Sequence, residues 1–121
     1  MIVELVTFRT PPGMDRDAIL EDAKSTIPRW SANRDLLRKH YLLSEDGQTG
    51  AGFYIWPSRE AAEQGHDAAW RAAVEKRTGA PPVIRYFDLL MLLDNETGRI
   101  TEWDAAGTPK PVAPPSSVAA E

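Results

Sequence analysis

Two segments of this chain read as strands that are apolar on both faces, and no other feature narrows the fold so far. In FYIW, residues 53–56, Phe53 and Ile55 point one way while Tyr54 and Trp56 point the other. In VIRYFDLLMLL, residues 83–93, Phe87, Leu89 and Met91 oppose Tyr86, Leu90 and Leu92. A sheet with one solvated face alternates apolar with polar residues, so a sheet made of these strands needs cover on both sides.

The remaining pattern supplies one cover. IVELVTF, residues 2–8, is rich in β-branched residues and is stopped by TPPG, which predicts a first strand and a turn. Over residues 14–27, Ile19, Leu20, Ala23 and Ile27 recur at helical spacing, with Asp15 and Asp17 where the helix dipole favours negative charge. Pro28 disfavours helical geometry at Ile27 and predicts the helix end. LLRKHYLL, residues 36–43, and FYIW flank the glycine-containing SEDGQTGAG, and so read as an antiparallel hairpin. Ser58 is a good N-cap for a second helix carrying Ala62, His66, Ala69, Trp70 and Ala73 along one side. TGAPP ends that helix, and residues 83–93 form a long final strand. The order β-α-β-β-α-β predicts an α+β, ferredoxin-like fold, one antiparallel sheet with both helices on a single face. A second copy of the sheet is the simplest cover for the other face, which predicts a homodimer joined through the sheet faces, a dimeric α/β barrel.

With 121 residues, 42% of them apolar, the chain has material for one core, expected over residues 1–104. GRITEW, residues 98–103, reads as a short extra strand or as an arm anchored by Trp103. Residues 105–121, with four prolines among small residues, are expected to be a flexible tail. The net charge of −4 comes from scattered acids, and no cluster of Lys and Arg offers a footprint for nucleic acid or an anionic membrane. The absence of cysteine excludes disulfides, thiolate metal sites and thiol nucleophiles. It suits a reducing compartment, and residues 1–12 lack the pattern of a signal peptide, so the expected location is cytoplasmic.

The run from residue 36 to residue 74 resembles small bacterial mono-oxygenases of the YdhR type in the dimeric α/β-barrel superfamily, which includes the antibiotic biosynthesis monooxygenases. The matching features are the basic-aromatic strand Arg38-Lys39-His40-Tyr41, the Gly-x-Tyr-x-Trp strand from Gly52 to Trp56, and Ser58-Arg59-Glu60-Ala61-Ala62 opening a helix. The resemblance implies the same fold and dimer, and oxidation of an aromatic or polyketide-like molecule without flavin or metal. The haem-degrading branch of that superfamily is a poor match: counted from Trp56, its Trp and His positions hold Gly65 and Glu75 here.

Oxygenation without a cofactor needs a substrate that, once deprotonated, passes an electron to dioxygen; the protein supplies a base, a dry aromatic cavity and donors to steady the anion. His66 and His40 are candidate bases because imidazole titrates near neutrality, with Tyr54 as a proton donor. Trp56 and Trp70 are candidate walls for a planar substrate, and Lys39 and Arg85 candidate partners for its negative charge. Each residue also has a structural reading: a hydrogen-bonded buried histidine, core tryptophans, solvated or dimer-bridging cations. His40 and Lys39 lie on opposite faces of one strand, so only one of them faces the helices. GQTGAG lies between two strands, not at a strand-to-helix turn, and so reads as a hairpin loop with no phosphate role. His40 and His66 are not at metal-ligand spacing, and no metal or other cofactor is expected. A non-enzymatic ligand-binding or stress-associated dimer is the alternative; a cavity bounded by Tyr54, His66 and a tryptophan would favour the enzyme.

Overall fold

The computed structural model describes residues 1–114. Residues 2–87 form one compact unit; Met1 and residues 88–114 form another. The first contains β1 (Ile2–Arg9), α1 (Arg16–Ser25), α2 (Ile27–Ala32), β2 (Arg38–Leu43), β3 (Thr49–Trp56), α3 (Arg59–Gly65), α4 (Ala68–Thr78) and β4, which runs to the unit boundary (Val83–Asp88). Its sheet has the order β2-β3-β1-β4, and β3 is antiparallel to both neighbours. This is the ferredoxin-like arrangement expected from the element order.

Register decides which residues meet. Tyr54 of β3 stands between Glu4 of β1 and Lys39 of β2, and Gly52 between Val6 and Tyr41. One face of the sheet therefore carries Glu4, Val6, Lys39, Tyr41, Tyr54 and Trp56, and the helices pack on it: Trp30 from α2 and Ala61 and Ala62 from α3 join Val6, Tyr54 and Trp56 in the core. On the other face, Leu42, Val83 and Phe87 are 46%, 59% and 43% exposed.

The structure departs from the expected elements in four places. The first helix stops at Ser25, where Thr26 turns its hydroxyl onto the Ala23 carbonyl at 2.7 Å; Pro28 then sits in the first turn of α2, where its missing N–H costs nothing. The hairpin loop is shorter than SEDGQTGAG, because residues 49–52 belong to β3. Gly50 and Gly52 are strand residues whose missing side chains make room: a Cβ at Gly50 would lie 2.6 Å from the Phe8 ring, and one at Gly52 would collide with the Tyr54 ring. The second helix is two. Ser58 caps α3, accepting from Ala61 N at 3.1 Å, but α3 ends at Gly65, and Asp67 starts α4 by accepting from Trp70 N at 2.8 Å. His66 is the joint, with φ −118° and ψ 65°, and so does not share one continuous helix face with Ala62 and Trp70.

The final strand ends at Asp88, short of the expected residue 93. Residues beyond it make a separate sheet with the order β5-β6-β7, from β5 (Met91–Asp94), β6 (Arg99–Trp103) and β7 (Pro109–Pro111). Its β5–β6 hairpin closes on Asp94, whose carboxylate accepts from Glu96 N at 2.9 Å, with Gly98 at φ 73°. GRITEW is thus a strand, while Leu89 and Met91 do not continue the first sheet. β7 lies in the segment expected to be a flexible tail, with Val112 N donating to Ile100 O at 2.9 Å; the end of that segment lies outside the described residues.

Candidate functional site

Strand β1 carries one acidic residue, Glu4, on the face that otherwise presents Ile2, Val6 and Phe8 to the helices. Glu4 is wholly buried, as are His66 and Trp56. Its Oε1 accepts from Trp56 Nε1 at 2.8 Å and lies 2.8 Å from His66 Nδ1. An oxygen already accepting from an indole N–H is poorly placed to donate, so Nδ1 carries the proton and His66 donates. His66 Nε2 is buried without a hydrogen-bond partner among the described residues. Tyr86 is held above the ordinary range of a phenol by burial and then by the nearby Glu4 charge.

Aromatic rings enclose this pair. The His66 ring lies 4.3 Å from Trp70, 4.5 Å from Tyr54 and 4.9 Å from Trp30, centroid to centroid. In front of them, between α1, α2, α4 and strands β1 to β3, is a cavity of about 550 Å³. Tyr54, Trp30, Trp70, Tyr41 and Lys39 are on its wall. This volume falls within the usual range for small-molecule sites.

Lys39 is the charged group of that cavity with the most unusual setting. Its Nζ lies 3.9 Å from the centroid of Tyr41, 4.7 Å from Trp30 and 4.8 Å from Tyr54, and forms no ion pair among the described residues. Burial, and secondarily the Arg29 charge, lower its pKa from 10.5 to about 7. Tyr54 moves the opposite way: burial and then the Glu4 charge push its phenol far above the ordinary range, so it stays a donor at any pH of interest. Tyr41 shares a hydrogen bond of 2.9 Å with Thr26 Oγ1.

The structure thus gathers Tyr54, Trp70 and Lys39 at one cavity. His66 and Trp56 lie behind it: Trp56 fills the core, and His66 faces a second, more open cavity of about 570 Å³ with Arg59, Arg71 and Tyr86. His40 and Arg85 do not join. His40 packs on Phe53 at 5.8 Å, and Arg85 stands over Phe87 at 5.1 Å, both on the face away from the helices. Glu4, Trp30 and Tyr86 are additions that the sequence reading did not single out as site residues. For Glu4 the signal was visible, an acid at the parity of Ile2, Val6 and Phe8; for Trp30 and Tyr86 no local pattern marked them out. Among the described residues no group of three or more His, Asp or Glu is placed to hold a metal ion. No helix among them is long and apolar enough to cross a membrane.

Three solved structures illustrate the likeness of the fold. Rv0793 from Mycobacterium tuberculosis matches with a TM-score of 0.58 and 18% identity, over 78% of this chain and 100% of that one. A monooxygenase from the gene ActVA-Orf6 of Streptomyces coelicolor, in complex with nanaomycin D, matches with a TM-score of 0.55 and 24% identity, over 71% and 84%. An antibiotic biosynthesis monooxygenase matches with a TM-score of 0.56 and 12% identity, over 73% and 97%. No protein-family model matches the sequence, and neither does any curated protein. At these identities the likeness establishes the fold, which is that of the antibiotic biosynthesis monooxygenases.

Proposed function

We propose that this protein is a mono-oxygenase that oxidises an acidic, aromatic or polyketide-like small molecule with dioxygen in the cavity between helices and sheet. The observation that carries the reading is Lys39, an amine with a pKa of about 7 on the wall of an aromatic cavity of about 550 Å³. A base titrating near the working pH is what proton abstraction needs. His66 is set behind Tyr54 and Trp70, so the base is Lys39 rather than either histidine.

An anthrone-like methylene serves as the reacting group. The Lys39 amine removes one proton from the CH₂, and Tyr54 donates to the enolate oxygen that forms. The carbanion gives one electron to dioxygen, and the resulting radical pair joins as a C–O bond. The proton returns from Lys39 to the distal peroxide oxygen. Loss of the second C–H proton with cleavage of the O–O bond leaves a ketone and one water, so that CH₂ + O₂ becomes C=O + H₂O. The substrate carbanion is itself the reductant of dioxygen, so the balance calls for no flavin or metal. Trp30 and Trp70 stack on the planar rings and keep water from the anion.

The exposed apolar side chains Leu42, Val83 and Phe87 support a homodimer in which a second copy covers that face of the sheet. The absence of cysteine supports a cytoplasmic setting.

Oxygen uptake with an anthrone tests the reading. Turnover should rise with pH through about 7, as Lys39 loses its proton. Lys39→Met should lower it about a hundredfold or more, the contribution of a general base. Tyr54→Phe should lower it less, and His40→Ala not at all. Tight binding of anthrones without oxygen uptake would replace the enzyme by a ligand-binding module.

A further inference from the structure

We propose that Lys39 also captures aromatic aldehydes and ketones in this cavity as a covalent imine, which makes carbonyl compounds with a flat aromatic body the ligand class of the site. The inference rests on the cavity of the preceding reading, but not on its oxygen chemistry.

Three observations lead to it. The Lys39 amine projects among three rings, the nearest 3.9 Å away, and no carboxylate holds it as a salt. Lys24, by contrast, is paired with Glu21 at 3.0 Å in solvent. A lysine that no acid pairs and that burial discharges keeps the nitrogen lone pair needed for attack on carbon. The wall beside it is apolar and flat, from Trp30, Tyr54 and Trp70, which suits an aryl group. Finally, Tyr54 stands next to Lys39 across the β2–β3 pair and keeps its proton, so a fixed donor is available to the carbonyl oxygen.

The step balances without an oxidant or reductant. The amine lone pair forms a bond to the carbonyl carbon, and the C=O pair moves to oxygen, which takes a proton from the Tyr54 side. Nitrogen gives up a proton, returning Tyr54 to its starting state, and the carbinolamine has formed. Protonation of its hydroxyl and departure of water, as the nitrogen pair closes the C=N bond and the remaining N–H proton is lost, give the imine. Aldehyde plus amine thus becomes imine plus water.

Trapping under nitrogen separates this inference from the oxygenase. The protein is incubated at pH 7 with 2-naphthaldehyde and sodium cyanoborohydride, which reduces an imine to a stable secondary amine, and each lysine is followed by peptide mass spectrometry. Lys39 should be labelled at least tenfold faster than Lys24, Lys76 and Lys110. Its rate should level off above pH 7 to 8. Lys39→Met should lose the fast label with its circular dichroism unchanged, and Tyr54→Phe should keep the label but slow it. If Lys39 reacts no faster than the other three lysines, the inference falls, and oxygen uptake with an anthrone would still stand on its own. Fast labelling of Lys39 in a protein that takes up no oxygen would uphold the imine and reject the oxygenase.

Discussion

His66 Nδ1 and Glu4 Oε1 lie 2.8 Å apart with neither side chain exposed to solvent, and the same oxygen accepts from Trp56 Nε1. A buried acid on β1 thereby ties down the joint between α3 and α4 and the end of β3. Removing one side of such a network strands the other, at a cost of about 1–3 kcal/mol for each orphaned group. Glu4→Leu leaves both the indole N–H and the imidazole without a partner and should lower stability by about 3 kcal/mol. Glu4→Gln keeps an acceptor and should cost clearly less. Equal losses in urea denaturation would mean that packing, and not the hydrogen bonds, dominates at Glu4.

Lys39 makes stability depend on pH in a definite direction. Its folded pKa of about 7 lies below the 10.5 of an ordinary lysine, so between those values the unfolded chain binds the extra proton. The native state therefore loses stability as pH falls from about 10.5 to about 7, and the full penalty is present below that window. Lys39→Met should raise the urea midpoint relative to the parent at pH 6, with the advantage fading as the pH approaches 10.5. An advantage that is constant with pH would place the amine in solvent.

Gly65 sits against a ring that cannot yield. A Cβ there would lie 2.5 Å from Trp56 Cη2 and 2.9 Å from Cζ2, and the Glu4 hydrogen bond fixes that indole. Gly65→Ala should cost about 1–3 kcal/mol, the usual range for an overpacked core. Near-ultraviolet circular dichroism should report the displaced tryptophan. A Gly65→Ala protein as stable as the parent would show that α3 can slide.

The proposed dimer is tested where a charge harms only the assembly. Phe87 is 43% exposed in the single chain, so Phe87→Glu should still fold but as a monomer, melting below the dimeric parent because it loses the stabilisation of association. Light scattering should find twice the chain mass for the parent and the chain mass for Phe87→Glu. A parent that is monomeric at micromolar concentration ends the proposal.

The element order, the Ser58 cap and the pairing of an acid with apolar neighbours in residues 2–8 were all legible in the sequence, because turn chemistry, capping and alternation act over a few residues. The sequence also limited the choice at β2 to Lys39 or His40 facing the helices. Only the tertiary structure decided for Lys39, since that choice is set by the register of β2 on β3, and β3 in turn lies against β1 with Gly50 making room for the Phe8 ring. The same holds for His66. Helical spacing from Ala62 to Trp70 is local and suggested one helix, but the Asp67 cap and the hydrogen bond to Glu4, 62 positions away, make that residue a joint. A contact of that separation leaves no trace in periodicity.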